Sequence, residues 1–225
     1  MNLHLLNLPG AYPIQDIVTA SKPYLAAQPD PVLVYLPAAT ETIDPEHVEV
    51  TRTAFESLAE VEILDLTQPI PSLDLESALG RATVLYIPGG NSYLLLDRLY
   101  QSGAFGLIQA RVRGGMPLVG FSAGMVICGP NILTSNNINL FGITEVTGLG
   151  FTEYNFMTHY PAGDGSERAL RDSEVRAYHN AHTNPVLALE DDGWIQIDDQ
   201  GTQVVRGRCW LFEPGKEKML LGPDA

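Results

Sequence analysis

Short apolar runs alternate with amphipathic segments along the first half of the chain, and this alternation constrains the fold most strongly. Helical periodicity separates the runs, as in 91–103 (NSYLLLDRLYQSG) and 104–115 (AFGLIQARVRGG). Strands that alternate with helices imply βαβ units and a parallel sheet that is covered on both faces. The predicted strands are 31–39 (PVLVYLPAA), 61–66 (VEILDL), 82–90 (ATVLYIPGG) and MPLVGFS, and the other predicted helices are 44–60 and LDLESALGRA.

The pattern changes near the end of the chain. WIQIDDQGTQVVRG and CWLFEPGKEKMLLG alternate apolar and polar residues more regularly, with turns at 199–201 and 214–215. This predicts antiparallel hairpins at one edge of the sheet. Because no Gly/Ser-rich or Pro-rich linker divides the sequence, we expect one domain over 1–225.

Composition excludes several function classes. A formal net charge of -14 over 225 residues argues against a nucleic-acid or anionic-membrane partner. No apolar run approaches the ~20 residues of a membrane span, and MNLHLLNLPGAYP lacks the features of a secretion signal. Cys128 and Cys209 form no zinc pattern. We therefore expect a cytoplasmic protein, a monomer or homodimer, with no metal or organic cofactor.

The stretch GFSAGM (120–125) carries a possible nucleophile. It fits G-x-S-x-G between a predicted strand and a helix-like segment, where Ser122 would stand on a tight turn with its hydroxyl exposed. The amide of Ala123 would then face a developing oxyanion. The alternative is that Ser122 is an ordinary helix N-cap.

A second loop follows the strand of YIPGGNSYLLL. Loops at the carboxyl ends of parallel strands are where α/β proteins bind ligands. The amide of Gly90 could supply a second oxyanion donor, and the Asn91 side chain could hold a substrate. Equally, Asn91 could simply cap the helix that follows.

A serine nucleophile needs a base, and five histidines are available. His159 ends the run YNFMTH at a predicted strand end, where a base could meet Ser122. A structural histidine at a strand end is the competing interpretation. The other histidines are His4 near the N-terminal strand, His47 on a predicted helix face, and His179 and His182 at a polar helix end.

Together these residues resemble the S51 (dipeptidase E) family of serine peptidases. The resemblance covers nearly the whole chain and implies a flavodoxin-like, class I glutamine-amidotransferase-like three-layer α/β/α sandwich. It implies Ser122 as nucleophile, His159 as base, and the amides of Gly90 and Ala123 as oxyanion donors. The motifs that carry it are PGGN at 88–91, GFSAG at 120–124, TSNN at 134–137, the strand ending in His159, an arginine-bearing helix at 166–178 and VLALEDDGWIQI at 186–197.

The same resemblance implies a preference for peptides with an N-terminal aspartate. Asn91 matches a family position near the substrate. Arg171 is assigned to the arginine that receives the aspartate carboxylate, with Arg168 and Arg176 as alternatives. A guanidinium suits this role because it is always charged and binds carboxylates in bidentate fashion.

The third member of a triad stays open at this stage. Asn137 stands where the family carries an aspartate, and an amide can orient a histidine but supplies no charge. Asp191 is the other leading candidate, followed by Glu190. Both also fit a solvated turn in LEDDGW.

Three functions compete. The first is a serine dipeptidase acting on small peptides. The second is a non-catalytic or weakly active ligand-binding protein, which Asn137 favours. The third is an esterase of the α/β-hydrolase type, which shares G-x-S-x-G; it fits less well because such enzymes place the histidine late in the chain.

Overall fold

The computed structural model describes residues 1–8 and 13–222, so parts of the expected 1–225 domain and of the N-terminal stretch MNLHLLNLPGAYP lie outside the described residues. The described chain forms a seven-stranded sheet, a separate four-stranded sheet and helices around them. The strands are β1 Leu3–Asn7, β2 Val32–Tyr35, β3 Glu60–Ile63, β4 Val84–Ile87, β5 Leu118–Phe121, β6 Asn155–Tyr160, β7 Val186–Glu190, β8 Gly193–Asp198, β9 Gly201–Arg206, β10 Cys209–Phe212 and β11 Met219–Leu221. The helices are α1 Ile14–Leu25, α2 Pro45–Phe55, α3 Ser72–Arg81, α4 Ser92–Ser102, α5 Ala104–Arg113, α6 Ala123–Val126 and α7 Ser166–His179.

The seven-stranded sheet, called here the central sheet, has the order β3-β2-β4-β5-β1-β8-β9. Its first five strands are parallel, as predicted, and their side chains are buried on both faces except in the edge strand β3. Leu5 and Val34 face a core with α3, α4 and α5, whereas Leu6 and Tyr35 face a core with α1 and α2. The predicted α/β class with a mostly parallel, two-sided sheet is confirmed.

The C-terminal hairpins differ from the expectation in one respect. The β8–β9 hairpin lies at the edge of the central sheet, where β8 pairs antiparallel with β1. The β10–β11 hairpin does not join that sheet. It pairs through β10 with β7 in a second sheet of order β11-β10-β7-β6. An alternating pattern predicts a half-buried strand but not its partner, because pairing is decided by distant residues.

The second sheet is covered on both faces. Val186 and Ala188 pack with Val175 of α7, while Leu187 and Leu189 point into the main core. This explains why β7 is buried throughout and apolar at its first four positions. The second sheet therefore holds the ends of β6 and β7 against the rest of the molecule.

Two helices depart from the sequence pattern. No element was predicted for α1, which contains Pro23 in its last turn, where the missing amide would normally end a helix. Helix α2 begins at the predicted cap, with Asp44 Oδ1 accepting from the Glu46 amide at 2.9 Å, but ends at Phe55 rather than at residue 60. None of the helices in the described ranges is long and apolar enough to cross a membrane.

Candidate active site

Ser122 stands at the turn between β5 and the short helix α6. Its backbone has φ 50° and ψ -105°, which a residue with a side chain seldom adopts. Its amide donates to Leu6 O of the neighbouring strand at 3.0 Å, which fixes the turn to the sheet. This is the geometry that the G-x-S-x-G pattern predicts, and no side-chain cap bond to α6 forms.

Glycines allow the elbow to approach the neighbouring loop. A Cβ on Gly124 would lie 2.1 Å from Ile87 O, and one on Gly90, whose φ is +138°, would lie 2.4 Å from Ala39 O. Neither position can take a side chain without moving backbone. The close approach brings the 88–91 loop beside Ser122, and Gly89, Gly90 and Ser122 line the same cleft.

The two amides expected to bind an oxyanion are open. Around the elbow, the amides of Ser122, Met125 and Asn91 donate to backbone carbonyl oxygens. Within the described ranges, the amides of Gly90 and Ala123 have no such acceptor. Both therefore keep a donor for a ligand at this place in the fold.

His159 reaches Ser122 because β6 is irregular near its end. The register between β6 and β7 shifts between Met157 and Tyr160, and His159 has φ 54°. A bulge of this kind turns one side chain away from its strand. His159 is the exposed residue of an otherwise buried strand, and its Nε2 lies 3.4 Å from Ser122 Oγ.

Asp191 meets the other side of the imidazole. It follows β7 directly, in a tight turn where Asp192 has φ 85°. Asp191 Oδ1 lies 2.7 Å from His159 Nδ1, and the side chains of His159 and Asp191 are 46% and 53% exposed. Serine, histidine and carboxylate thus form a continuous chain of contacts.

Asn137 and Glu190, the other candidates for a triad acid, have different partners. Asn137 Oδ1 accepts from the Ser92 amide at 2.8 Å and from Ser92 Oγ at 2.9 Å, so it caps the start of α4. Glu190 is buried and bonded to Arg168 and to Trp210 Nε1. Neither contact involves His159.

Asn91 works as the cap of α4. Its Oδ1 accepts from the amides of Tyr93 and Leu94 at 2.9 and 3.2 Å, and its Nδ2 donates to Ile138 O at 3.1 Å. One Nδ2 hydrogen remains for a ligand. Asn91 thus lies next to Gly90, but most of its hydrogen-bonding capacity belongs to the helix and the 138 loop.

The three candidate arginines on α7 have separate surroundings. Arg168 is buried, stacks on Tyr160 and Trp210, and pairs with Glu190. Arg171 pairs with Glu174 and lines a polar pocket of about 250 Å³ with residues 133–137, Met157 and Tyr178. Arg176 lines a pocket near Phe212. None of the three lines the cleft at Ser122.

The cleft itself has a volume of about 360 Å³. Its lining includes the segment after β2 and the start of α2, which bring Thr40, Thr42, Asp44 and His47 to the site. The sequence pattern indicated only that His47 lies on a helix face. His47 follows the carboxyl end of the parallel strand β2, and ligands bind at that edge of such sheets. This position could have indicated that His47 lines the cleft.

Other groups that could react or bind metal lie elsewhere. Within the described ranges no cluster of His, Cys, Asp and Glu could hold a metal ion. Cys128 and Cys209 are buried free thiols, and burial raises the pKa of Cys209 to about 12 and that of Cys128 further still. Neither thiol is a reactive nucleophile at neutral pH.

Comparisons with known proteins identify the family of the chain. The family model "Peptidase family S51" matches residues 15–205, and the chain belongs to that family. It is 30% identical over 180 residues to Peptidase E of Shewanella denitrificans, covering 76% of each chain. It is 28% identical over 131 residues to a Drosophila melanogaster protein named "Probable alpha-aspartyl dipeptidase", covering 56% of this chain and 55% of that one. The match to Peptidase E of Streptomyces coelicolor spans 54% of that protein, at 29% identity.

Among solved structures, the fold is similar to a crystal structure described as a putative Peptidase E protein from Listeria monocytogenes. The TM-score is 0.66 at 22% identity, with 98% of this chain and 97% of that chain covered. The family and the fold together identify the chain as a peptidase of family S51.

Proposed function

We propose that this peptidase is of the serine type and hydrolyses dipeptides or short peptides through an acyl-enzyme on Ser122. The observation that carries the proposal is the contact chain from Ser122 Oγ to His159 Nε2 and from His159 Nδ1 to Asp191 Oδ1. The Oγ–Nε2 distance of 3.4 Å is longer than a formed hydrogen bond, and such contacts tighten when substrate binds.

In the first half-reaction, Ser122 Oγ attacks the scissile carbonyl carbon while its proton passes to His159 Nε2. The tetrahedral oxyanion accepts from the amides of Gly90 and Ala123. When the C–N bond breaks, His159 Nε2 returns the proton to the leaving amine, and an acyl ester remains on Ser122. Water, deprotonated by the same Nε2, then hydrolyses the ester and restores the hydroxyl.

Asp191 serves as the third member. A carboxylate bonded to Nδ1 holds the imidazole in the tautomer that leaves Nε2 free as base, and it stabilises the imidazolium that forms. Asn137 was the feature that favoured a binding protein without catalysis. Its side chain is bonded to Ser92 while Asp191 faces His159, so that argument loses its support.

Preference for an N-terminal aspartate is the finer part of the proposal. It is supported by the name of the Drosophila relative and by Arg171, whose Nε is buried without a partner among the described atoms. The pocket of Arg171 also borders Asn137, which bonds to Ser92 at the start of α4. A guanidinium there could receive a side-chain carboxylate.

A specific observation favours a second candidate, a preference for neutral N-terminal residues. The lining of the Ser122 cleft includes no lysine or arginine within the described ranges, and it does include Asp44. A carboxylate in the substrate side chain would meet no permanent positive charge in the cleft. Charge complementarity would then select against aspartate rather than for it.

Dipeptide hydrolysis tests both the serine mechanism and the substrate preference. The substrates are Asp-Leu, Glu-Leu, Asn-Leu and Ala-Leu, and the enzymes are the wild type, Ser122→Ala and Arg171→Gln. Serine catalysis requires that cleavage disappears in Ser122→Ala. The aspartate preference requires a kcat/KM for Asp-Leu at least about tenfold above that for Ala-Leu, which Arg171→Gln removes (about 1.4 kcal/mol). Equal or faster cleavage of Ala-Leu would select the neutral preference, and unchanged cleavage by Ser122→Ala would reject the serine mechanism.

A further inference from the structure

Asn7 lies beneath the triad and takes no part in the proposed chemistry. It is the last residue of β1 and is fully buried. Its Nδ2 lies 3.0 Å from Leu189 O, 3.1 Å from Glu190 O and 3.4 Å from Asp191 Oδ1. The same Asp191 oxygen lies 2.7 Å from His159 Nδ1. The oxygen that faces the base is therefore also the one that faces Asn7.

The amide of Asn7 has one sensible orientation. Three oxygen atoms surround one end of the side chain, and only the nitrogen can face them, because it donates two hydrogens. Its Oδ1 at the other end is buried and has no partner within the described part of the chain. An unpartnered buried acceptor destabilises the fold. An apolar side chain here would remove the unpartnered acceptor but would also leave Leu189 O and Glu190 O without this donor.

Asn7 also joins the two sheets. The residue before it, Leu6, accepts the Ser122 amide at 3.0 Å, so the end of β1 holds the nucleophile on the central sheet. The Nδ2 of Asn7 holds the end of β7, which belongs to the second sheet. Adjacent residues of β1 thus contact the serine turn and the acid turn.

We propose that Asn7 is a positioning residue that orients the Asp191 carboxylate toward His159. The inference rests on the proposed serine mechanism. Asp191 is half exposed and stands in a turn, so its carboxylate would otherwise rotate toward water. The two shorter bonds from Nδ2 to the carbonyl oxygens hold the turn, and the 3.4 Å contact of the same Nδ2 with Oδ1 favours the carboxylate orientation that His159 meets.

A double-mutant cycle with Asn7→Ala and Asp191→Ala tests this on the best dipeptide substrate. We expect Asn7→Ala alone to lower kcat about tenfold with KM nearly unchanged, the loss typical of one hydrogen bond that holds a catalytic group. In the Asp191→Ala background the same change should have no further effect on kcat, since its partner is gone. An equal loss of kcat in both backgrounds would overturn the proposal.

Asn155→Ala is the matched control. Asn155 is also a fully buried asparagine, and it bonds to Asn131 and Tyr178 away from the triad. It should lower stability while leaving kcat unchanged at a temperature where the variants are folded. A loss of kcat equal to that of Asn7→Ala would show a general packing effect. If Asn7→Ala does not fold, Asn7→Ser, with a shorter donor, should show the same loss of kcat.

A second readout separates this inference from the proposed function. The proton on His159 Nδ1, which is bonded to Asp191, should give a low-field proton resonance in wild type, Ser122→Ala and Asn155→Ala. In Asn7→Ala this resonance should be absent. This signal does not depend on peptide hydrolysis. If the wild type cleaves no peptide but the signal still depends on Asn7, the serine mechanism fails and the positioning role stands. A signal unchanged in Asn7→Ala would overturn the positioning role.

Discussion

The central sheet and the second sheet bury charge in opposite ways. Apart from the edge strand β3, the parallel strands of the central sheet are mostly apolar on both faces. His4, a buried titratable group on β1, contacts Tyr24 OH at 2.8 Å. Burial lowers the pKa of His4 to about 4 although Asp198 opposes the shift, so His4 stays neutral. At the second sheet, Glu190 of β7 and Arg168 of the covering helix α7 are both buried and form an ion pair.

The difference bears on the candidate active site. The proposed nucleophile, Ser122, stands in a strained turn on the central sheet, where backbone hydrogen bonds and close packing hold it. The proposed base and acid stand at the ends of β6 and β7, next to the polar network around Arg168. A rigid apolar sheet suits a fixed nucleophile, while a polar, half-exposed edge suits groups that exchange protons with water.

The largest expected effect compares the two proposed sources of the triad acid. Asp191→Ala should lower kcat about 10³- to 10⁴-fold with little change in KM, because the imidazolium loses its carboxylate. Asn137→Ala, which removes an oxygen bonded to Ser92, should change kcat far less. Steady-state kinetics on one dipeptide measures both. A larger loss in Asn137→Ala would move the acid role away from the second sheet.

Stability should respond strongly to the buried pair of the second sheet. Glu190→Ala leaves the Arg168 charge buried without its partner, which costs about 3–5 kcal/mol in the free energy of unfolding. Asp164→Ala is the control, because Asp164 is 99% exposed and lies 3.6 Å from the same guanidinium. Its loss should be below about 1 kcal/mol. Urea denaturation measures both, and equal losses would contradict the buried-pair account.

A smaller, pH-dependent effect belongs to the central sheet. Since the pKa of His4 is lowered to about 4, the unfolded chain binds a proton as pH falls below about 6.5 while the folded protein does not. The stabilisation is complete above pH 6.5 and is lost between pH 6.5 and 4, up to roughly 3 kcal/mol at about 1.4 kcal/mol for each pKa unit. His4→Gln lacks this titration.

Urea denaturation of wild type and His4→Gln at pH 7 and pH 4.5 checks the effect. The difference in unfolding free energy between the two proteins should shrink on acidification by 1–3 kcal/mol, about one to two pKa units' worth. A difference independent of pH would mean that His4 titrates normally in the folded protein, and the contrast between the two sheets would fail at that residue.

The sequence predicted the central sheet better than the second one. Continuous apolar runs bounded by turn residues identify buried parallel strands because both faces require the same residues. Helix α1 was missed since Pro23 interrupts its pattern. The partner of the β10–β11 hairpin was missed because alternation fixes which face is buried, and β7 is distant in sequence.

The site residues also divide into those that a local sequence pattern predicts and those that depend on distant contacts. Ser122, His159 and Gly90 stand in motifs whose local sequence determines the backbone, whereas the triad acid stayed open among three residues. Asp191 faces His159 because of the turn at Asp192 and contacts with distant residues, which no local pattern contains. Arg168 and Arg171 are three residues apart on one helix, so periodicity alone does not tell which of them is buried. Arg168 is the buried one because it pairs with Glu190 and stacks on Trp210, which are distant in sequence.

The most direct test of the account is covalent labelling by a serine-directed phosphonate, with the modified residue located by mass spectrometry. We expect one adduct, on Ser122, which forms much more slowly in His159→Ala and Asp191→Ala and at the wild-type rate in Asn155→Ala. No adduct at any pH between about 5 and about 8, or an adduct formed equally fast without His159, would contradict a serine nucleophile activated across the two sheets.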